Sequence, residues 1–150
     1  MPEKETLRRA RADKRAGKSA STQAGEFVRE EMHHVREGKH GVRNTKQAIA
    51  IGLSKARRSG VKLAPPKGGK ASTRRSAASA TRAGRRRARP SPRRSRAVRS
   101  ALKREGRSAA SPKALSRQAR SAAHRRSAKS RSAAARKAAR TRQRRASTSA

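Results

Sequence analysis

The placement of the large apolar side chains constrains this chain most. Of fifteen Val, Ile, Leu, Met and Phe residues, twelve lie before residue 64, and only Val98, Leu102 and Leu115 lie after it. Packed cores are built from such residues, so the sequence allows one small module near the N-terminus and no core of 150 residues. Charge divides at the same place. Residues 1–63 carry 16 basic and 7 acidic side chains, whereas residues 64–150 carry 29 basic and one acidic, Glu105, so +9 and +28 make up the net +37. Most of the 31% hydrophobic fraction is Ala.

The absence of Cys excludes a disulfide scaffold and a cysteine metal site, and no apolar run reaches the roughly 18 residues that a membrane span requires. The N-terminal stretch has no apolar segment of a secretory signal, and its acidic residues speak against a transit peptide, so the protein is expected to stay where it is made. Glu5 stands four residues before Arg9, and Arg15 and Lys18 flank Gly17, a pattern that suits a short helix.

Residues 24–37 carry the clearest helical signal. Ala24, Val28, Met32 and Val35 recur at helical spacing beside Phe27, and Gly38 stops the run. Asn44 or Thr45 can cap a second helix, with Gln47 three residues after Asn44. Over 46–58, Ala48, Ile49, Gly52, Leu53 and Ala56 share a face, and Ser59-Gly60-Val61 ends it. These segments predict a helical hairpin whose backbones approach at Gly52. Its apolar seam is too thin to look self-sufficient, which predicts self-association or completion by a partner.

The remainder is low complexity in Ala, Arg and Ser. Helix is possible over 95–104, where Val98 and Leu102 lie four apart, and after Ser111-Pro112, with Ser as N-cap and Pro at the first helical position. Like charges at close spacing oppose helix in free solution, and phosphates would favour it by neutralising them.

The expected fold class is therefore mainly α: a basic arm over 1–20 able to form a short helix, a helical hairpin over 21–63, and a largely disordered or conditionally helical tail over 64–150. Such a charge points to a polyanion. If about ten tail cations engage duplex phosphates, affinity should fall with a log-log salt slope near −9. The cations expected to carry this are Arg85, Arg86, Arg87, Arg93, Arg94, Arg125, Arg126, Arg144 and Arg145, with a second basic face in the hairpin at Lys46, Lys55, Arg57 and Arg58. The only Phe, Phe27, reads as core, so base stacking by aromatic side chains is not expected and duplex DNA is favoured over single strands. Ser91-Pro92-Arg93-Arg94 resembles the Ser-Pro-basic-basic element of linker-histone tails, with a helix cap as the plainer reading.

His33, His34, His40 and Glu37 are the one cluster with metal-ligand chemistry, but no further ligand is fixed by a recognised pattern, so surface histidines, no metal and no cofactor are expected. No nucleophile with a base and orienting acid is legible, and the chain is expected not to be an enzyme.

The string from 19 to 63 resembles the short basic bacterial proteins of domain-of-unknown-function family 6496. The resemblance is carried by Gly25-Glu26-Phe27-Val28, by Arg36-Glu37-Gly38-Lys39-His40-Gly41, and by Lys46-Gln47-Ala48-Ile49-Ala50-Ile51-Gly52-Leu53-Ser54. It implies a bacterial source and a nucleoid or cytoplasmic setting, and no activity. The expected function is largely sequence-independent binding of duplex DNA by a nucleoid-associated, histone-like protein. The alternatives are an RNA- or ribosome-associated protein, or a protein-interaction module with a localising tail. Membrane binding is disfavoured by the lack of Trp or a bulky amphipathic face in the tail.

Overall fold

The computed structural model describes residues 1–66, 68, 70–86 and 91–148, without the side chains of Arg145 and Thr148. The described residues are helical and contain no strand. The helices are α1 (Lys4–Arg15), α2 (Ala20–Arg36), α3 (Thr45–Arg58), α4 (Ala71–Arg85), α5 (Pro92–Lys103), α6 (Pro112–His124) and α7 (Ala128–Thr148), with a 3₁₀ turn at Ser108–Ala110. Residues 1–114 make one compact unit and 115–150 a second.

Side-chain caps and glycines set the hairpin boundaries. Ser19 Oγ accepts from Thr22 N–H at 3.3 Å and opens α2 four residues earlier than the apolar pattern indicates. Asn44 caps α3 by accepting from Gln47 N–H at 2.9 Å, while Gln47 Oε1 accepts from Arg43 N–H at 2.8 Å, a reciprocal arrangement that satisfies two orphan donors. Gly38 and Gly60 end α2 and α3 at φ +76° and +89°, where a side chain would be strained.

Helices α2 and α3 pack against each other, α1 packs on α2 and α4 packs on α3. A cluster of Ala10, Ala24, Phe27 and Ala56 is buried, with Leu7, Leu53, Val61 and Leu63 against it. The close approach expected at Gly52 is present: a Cβ there would stand 2.7 Å from Val28 Cα.

Packed structure continues past residue 64, where the tail was expected to begin. Ala77 and Ala80 of α4 are buried, and Gly84 lies so close to the Arg57 carbonyl that no Cβ fits between them. The chain then returns to the hairpin loop. Gly41 N–H donates to Leu102 O and Val42 N–H to Gly106 O, both at 2.9 Å. Thr45 Oγ1 donates to Ala109 O at 2.7 Å and Arg36 Nε to Ala110 O at 2.9 Å, with Ala109 and Ala110 buried. The thin seam of the hairpin is thus covered from the same chain, by α1, α4 and residues 102–110. Small side chains do this work: Ala buries little area, but it lets backbones come close enough to share hydrogen bonds.

Helix α6 opens on Ser111-Pro112 as its sequence indicates, with Ser111 Oγ accepting from Ala114 N–H at 3.2 Å. The helix does not run through to Arg145. It ends at His124, and Ser127 Oγ accepts from Ser130 N–H at 3.2 Å to start α7.

Candidate nucleic-acid interface

The cations expected to meet phosphate fall into three structural groups. Arg85 and Arg86 lie exposed at the end of α4, Arg93 and Arg94 are exposed in the first turn of α5, and Lys46 and Arg58 are exposed at opposite ends of α3. Ser91-Pro92 opens α5, so the Ser-Pro-basic-basic element takes the form of a helix start. In the second unit, Arg125 and Arg126 follow α6 and are exposed, with Arg125 donating to Ser121 O and Oγ. Arg144 lies on α7, where its carbonyl accepts from Ser147 Oγ at 3.0 Å. Arg145 is in α7, its side chain outside the described atoms, and Arg87 lies outside the described residues.

Lys55 and Arg57 differ from expectation. Lys55 Nζ reaches across the hairpin to two buried carboxylates, 2.7 Å from Glu31 Oε2 and 3.2 Å from Glu30 Oε1. Arg57 is buried and donates to Ala64 O at 3.2 Å, and burial lowers its guanidinium pKa. Lys55 continues the stripe of Ala48 and Gly52 on α3, whereas Arg57 follows Ile49 and Leu53 on another face, where Ala64 and Gly84 lie against it. Their charge is spent inside the unit and is unavailable to a phosphate.

Beside Lys55 lies a cluster of Glu31, His34 and His40, which shares two histidines with the group singled out in the sequence but has Glu31 in place of His33 and Glu37. His34 and His40 are not surface histidines: their side chains are only 12% and 15% exposed and their rings stand edge to face at 6.2 Å. His34 Nε2–H donates to Glu3 Oε1 at 2.8 Å, and His40 Nε2 lies 3.0 Å from Glu31 Oε1. Lys39 Nζ adds a contact to Glu3 Oε1 at 3.1 Å. Hydrogen bonds from His34 and Lys39 bring the Glu3 carboxyl down to a pKa of about 2. The signal for Glu31 was present: it stands four residues from both Phe27 and Val35, on the buried stripe. His40, in a loop nine residues beyond Glu31, follows no periodicity.

Helices α6 and α7 bury none of their described residues, and residues 115–150 hold twelve basic and no acidic side chains. At 100° per residue, Lys113, Arg117, Arg120 and His124 fall on one face of α6 at spacings of 4, 3 and 4. Lys129, Arg136, Arg140 and Arg144 form a similar row on α7. Among the described residues no helix is long and apolar enough to cross a membrane.

These features define an all-helical, strongly basic protein whose first unit has its own small core. Residues 11–68 match the model of DUF6496, a family of unknown function. No curated protein and no solved structure matches the chain.

Proposed function

We propose that the protein binds duplex DNA, largely without regard to sequence, as a nucleoid-associated, histone-like factor that acts by neutralising backbone phosphate and catalyses no reaction. The observation that carries this reading is the second unit: twelve cations, no carboxylate, and helices that expose every described face apart from a few half-buried positions. A helix without a buried side has nothing to hold it against its own like-charge repulsion until counter-charges arrive. Spacings of 3 and 4 residues place the cations of a row about 4.5–6 Å apart along the helix axis, a dense line of charge to set against a backbone with one phosphate per roughly 3.4 Å of axis on each strand. Arg dominates these rows, and its planar fork takes phosphate oxygens in pairs. The first unit supplies a separate set of exposed cations at Lys46, Arg58, Arg85, Arg86, Arg93 and Arg94.

The test is a salt series of gel shifts or anisotropy titrations on duplex DNA with the full chain and with a chain ending at Ala114. Loss of about six phosphate contacts should make the log-log salt slope shallower by roughly 5 on truncation. An unchanged slope would place binding in the first unit. Stronger binding to a structured RNA of equal length at every salt concentration would replace the DNA reading with the RNA-associated one.

A further inference from the structure

We propose that Glu31, His34 and His40 form a binding site for one divalent transition-metal ion, with zinc(II) the best match to the donors. One ligand atom from each of the three lies within 4.8 Å of the other two. A tetrahedral zinc ion with bonds of about 2.0–2.2 Å sets its ligand atoms roughly 3.4 Å apart, so small side-chain adjustments complete the site.

Three observations point to a cation here. First, the Glu31 carboxylate is wholly buried, and neither oxygen has a partner in hydrogen-bond geometry, although Lys55 and His40 stand at ion-pair distance. A buried carboxylate in that condition carries a desolvation cost that a bound cation offsets. Second, His40 Nδ1 lies 3.0 Å from the Gly41 carbonyl, which can only accept, so Nδ1 carries the hydrogen. In the neutral ring this leaves the Nε2 lone pair facing the Glu31 oxygen, two acceptors side by side. Metal-bound histidines have this same arrangement, with the far nitrogen tied to a carbonyl and the near one free to ligate. Third, two buried carboxylates, Glu30 and Glu31, share the single ammonium of Lys55.

The chain holds the donors in place from several elements. Glu31 and His34 are three residues apart on α2 and share its face. His40 is fixed because its neighbours Gly41 and Val42 are hydrogen-bonded to the carbonyls of Leu102 and Gly106. Lys55 keeps Glu31 Oε2, leaving Oε1 for the metal. For His34 to ligate through Nε2 the ring hydrogen moves to Nδ1 and the bond to Glu3 Oε1 is given up, which leaves that carboxylate oxygen placed to become a fourth ligand. Two imidazoles with carboxylates and no thiolate suit zinc better than calcium or magnesium, which take oxygen alone.

The experiment uses the full chain, freed of metal by a chelator that is then removed. Zinc chloride titrated in a calorimeter should bind at one ion per chain. Cobalt(II) in its place should give the intense visible bands of a tetrahedral site, a readout that needs no variant. H34Q, H40Q and E31Q should each weaken zinc binding by about tenfold or more. H33Q and H124Q should stay within about twofold of the parent, since neither residue belongs to the cluster. Absence of a one-to-one zinc isotherm, a weak octahedral cobalt spectrum, or an equal loss of affinity in H33Q would each overturn the proposal.

Discussion

Lys55 on α3 and Glu31 on α2 meet across the hairpin with Nζ 2.7 Å from Oε2, the carboxylate having no exposure and the lysine side chain 22%. The pair joins the two helices at a point where both belong to the buried stripe. Removing one partner strands the other in a medium that solvates it poorly, which is far costlier than the pair is favourable. K55M is expected to destabilise the metal-free protein by about 3–5 kcal/mol, and E31Q with K55M to recover most of that. Urea denaturation followed by circular dichroism measures both.

Two glycines in helix interiors should respond oppositely to the same substitution. At Gly52 an added Cβ would meet the α2 backbone, 2.7 Å from Val28 Cα, so G52A must separate the helices and should cost about 1–3 kcal/mol. At Gly25 the space is open, and G25A should stabilise by roughly 0.5–1 kcal/mol through helix propensity. Thermal melts of the two variants would show midpoints moving in opposite directions.

Glu5 ties α1 together through Arg8 and Arg9, with hydrogen bonds of 2.8 and 2.9 Å. These bonds, Arg8 first, hold its carboxyl below the usual 4.5. A depressed acid helps folding above its ordinary pKa and loses that help as pH falls through the ordinary value toward the folded one. The melting midpoint of the parent should therefore exceed that of E5Q at neutral pH, and the gap should close below pH 4.5.

On the basic helices, neutralising a cation that meets phosphate should weaken binding evenly across sequences. R117Q and R120Q, four and seven residues along the α6 row from Lys113, should each reduce the magnitude of the salt slope by about 1. K55Q should leave the slope unchanged, because Lys55 already has its carboxylates. Anisotropy titrations against two unrelated duplexes compare them directly.

Much of the first unit was legible because it obeys strong local rules. Asn44, Gly38 and Gly60 mark ends by cap chemistry and left-handed backbone, and Phe27, Val35, Ala48 and Gly52 mark faces by spacing. The helix over 95–104 was readable from Val98 and Leu102 and appears as α5, but the packing of residues 71–85 and 105–110 was not legible because alanine carries almost no hydrophobic signal. Ala77, Ala80, Ala109 and Ala110 are buried, yet in sequence they look like the exposed alanines of α7. The histidine cluster was hidden for a different reason. His40 joins Glu31 only after the loop is folded back and pinned by Leu102 and Gly106, a relation between residues more than sixty positions apart. Lys55 and Arg57 misled because charge suggests solvent, whereas register on α3 places Lys55 inside and the chain around Ala64 and Gly84 covers Arg57.

The return of residues 102–110 to the loop after α2 separates two boundaries that are usually taken to coincide. The stretch that matches the family ends at residue 68, but the donors on Gly41, Val42, Thr45 and Arg36 find their acceptors at 102, 106, 109 and 110. The matched stretch is thus shorter than the folded unit it belongs to, and a chain cut at that boundary would leave these four donors without their acceptors.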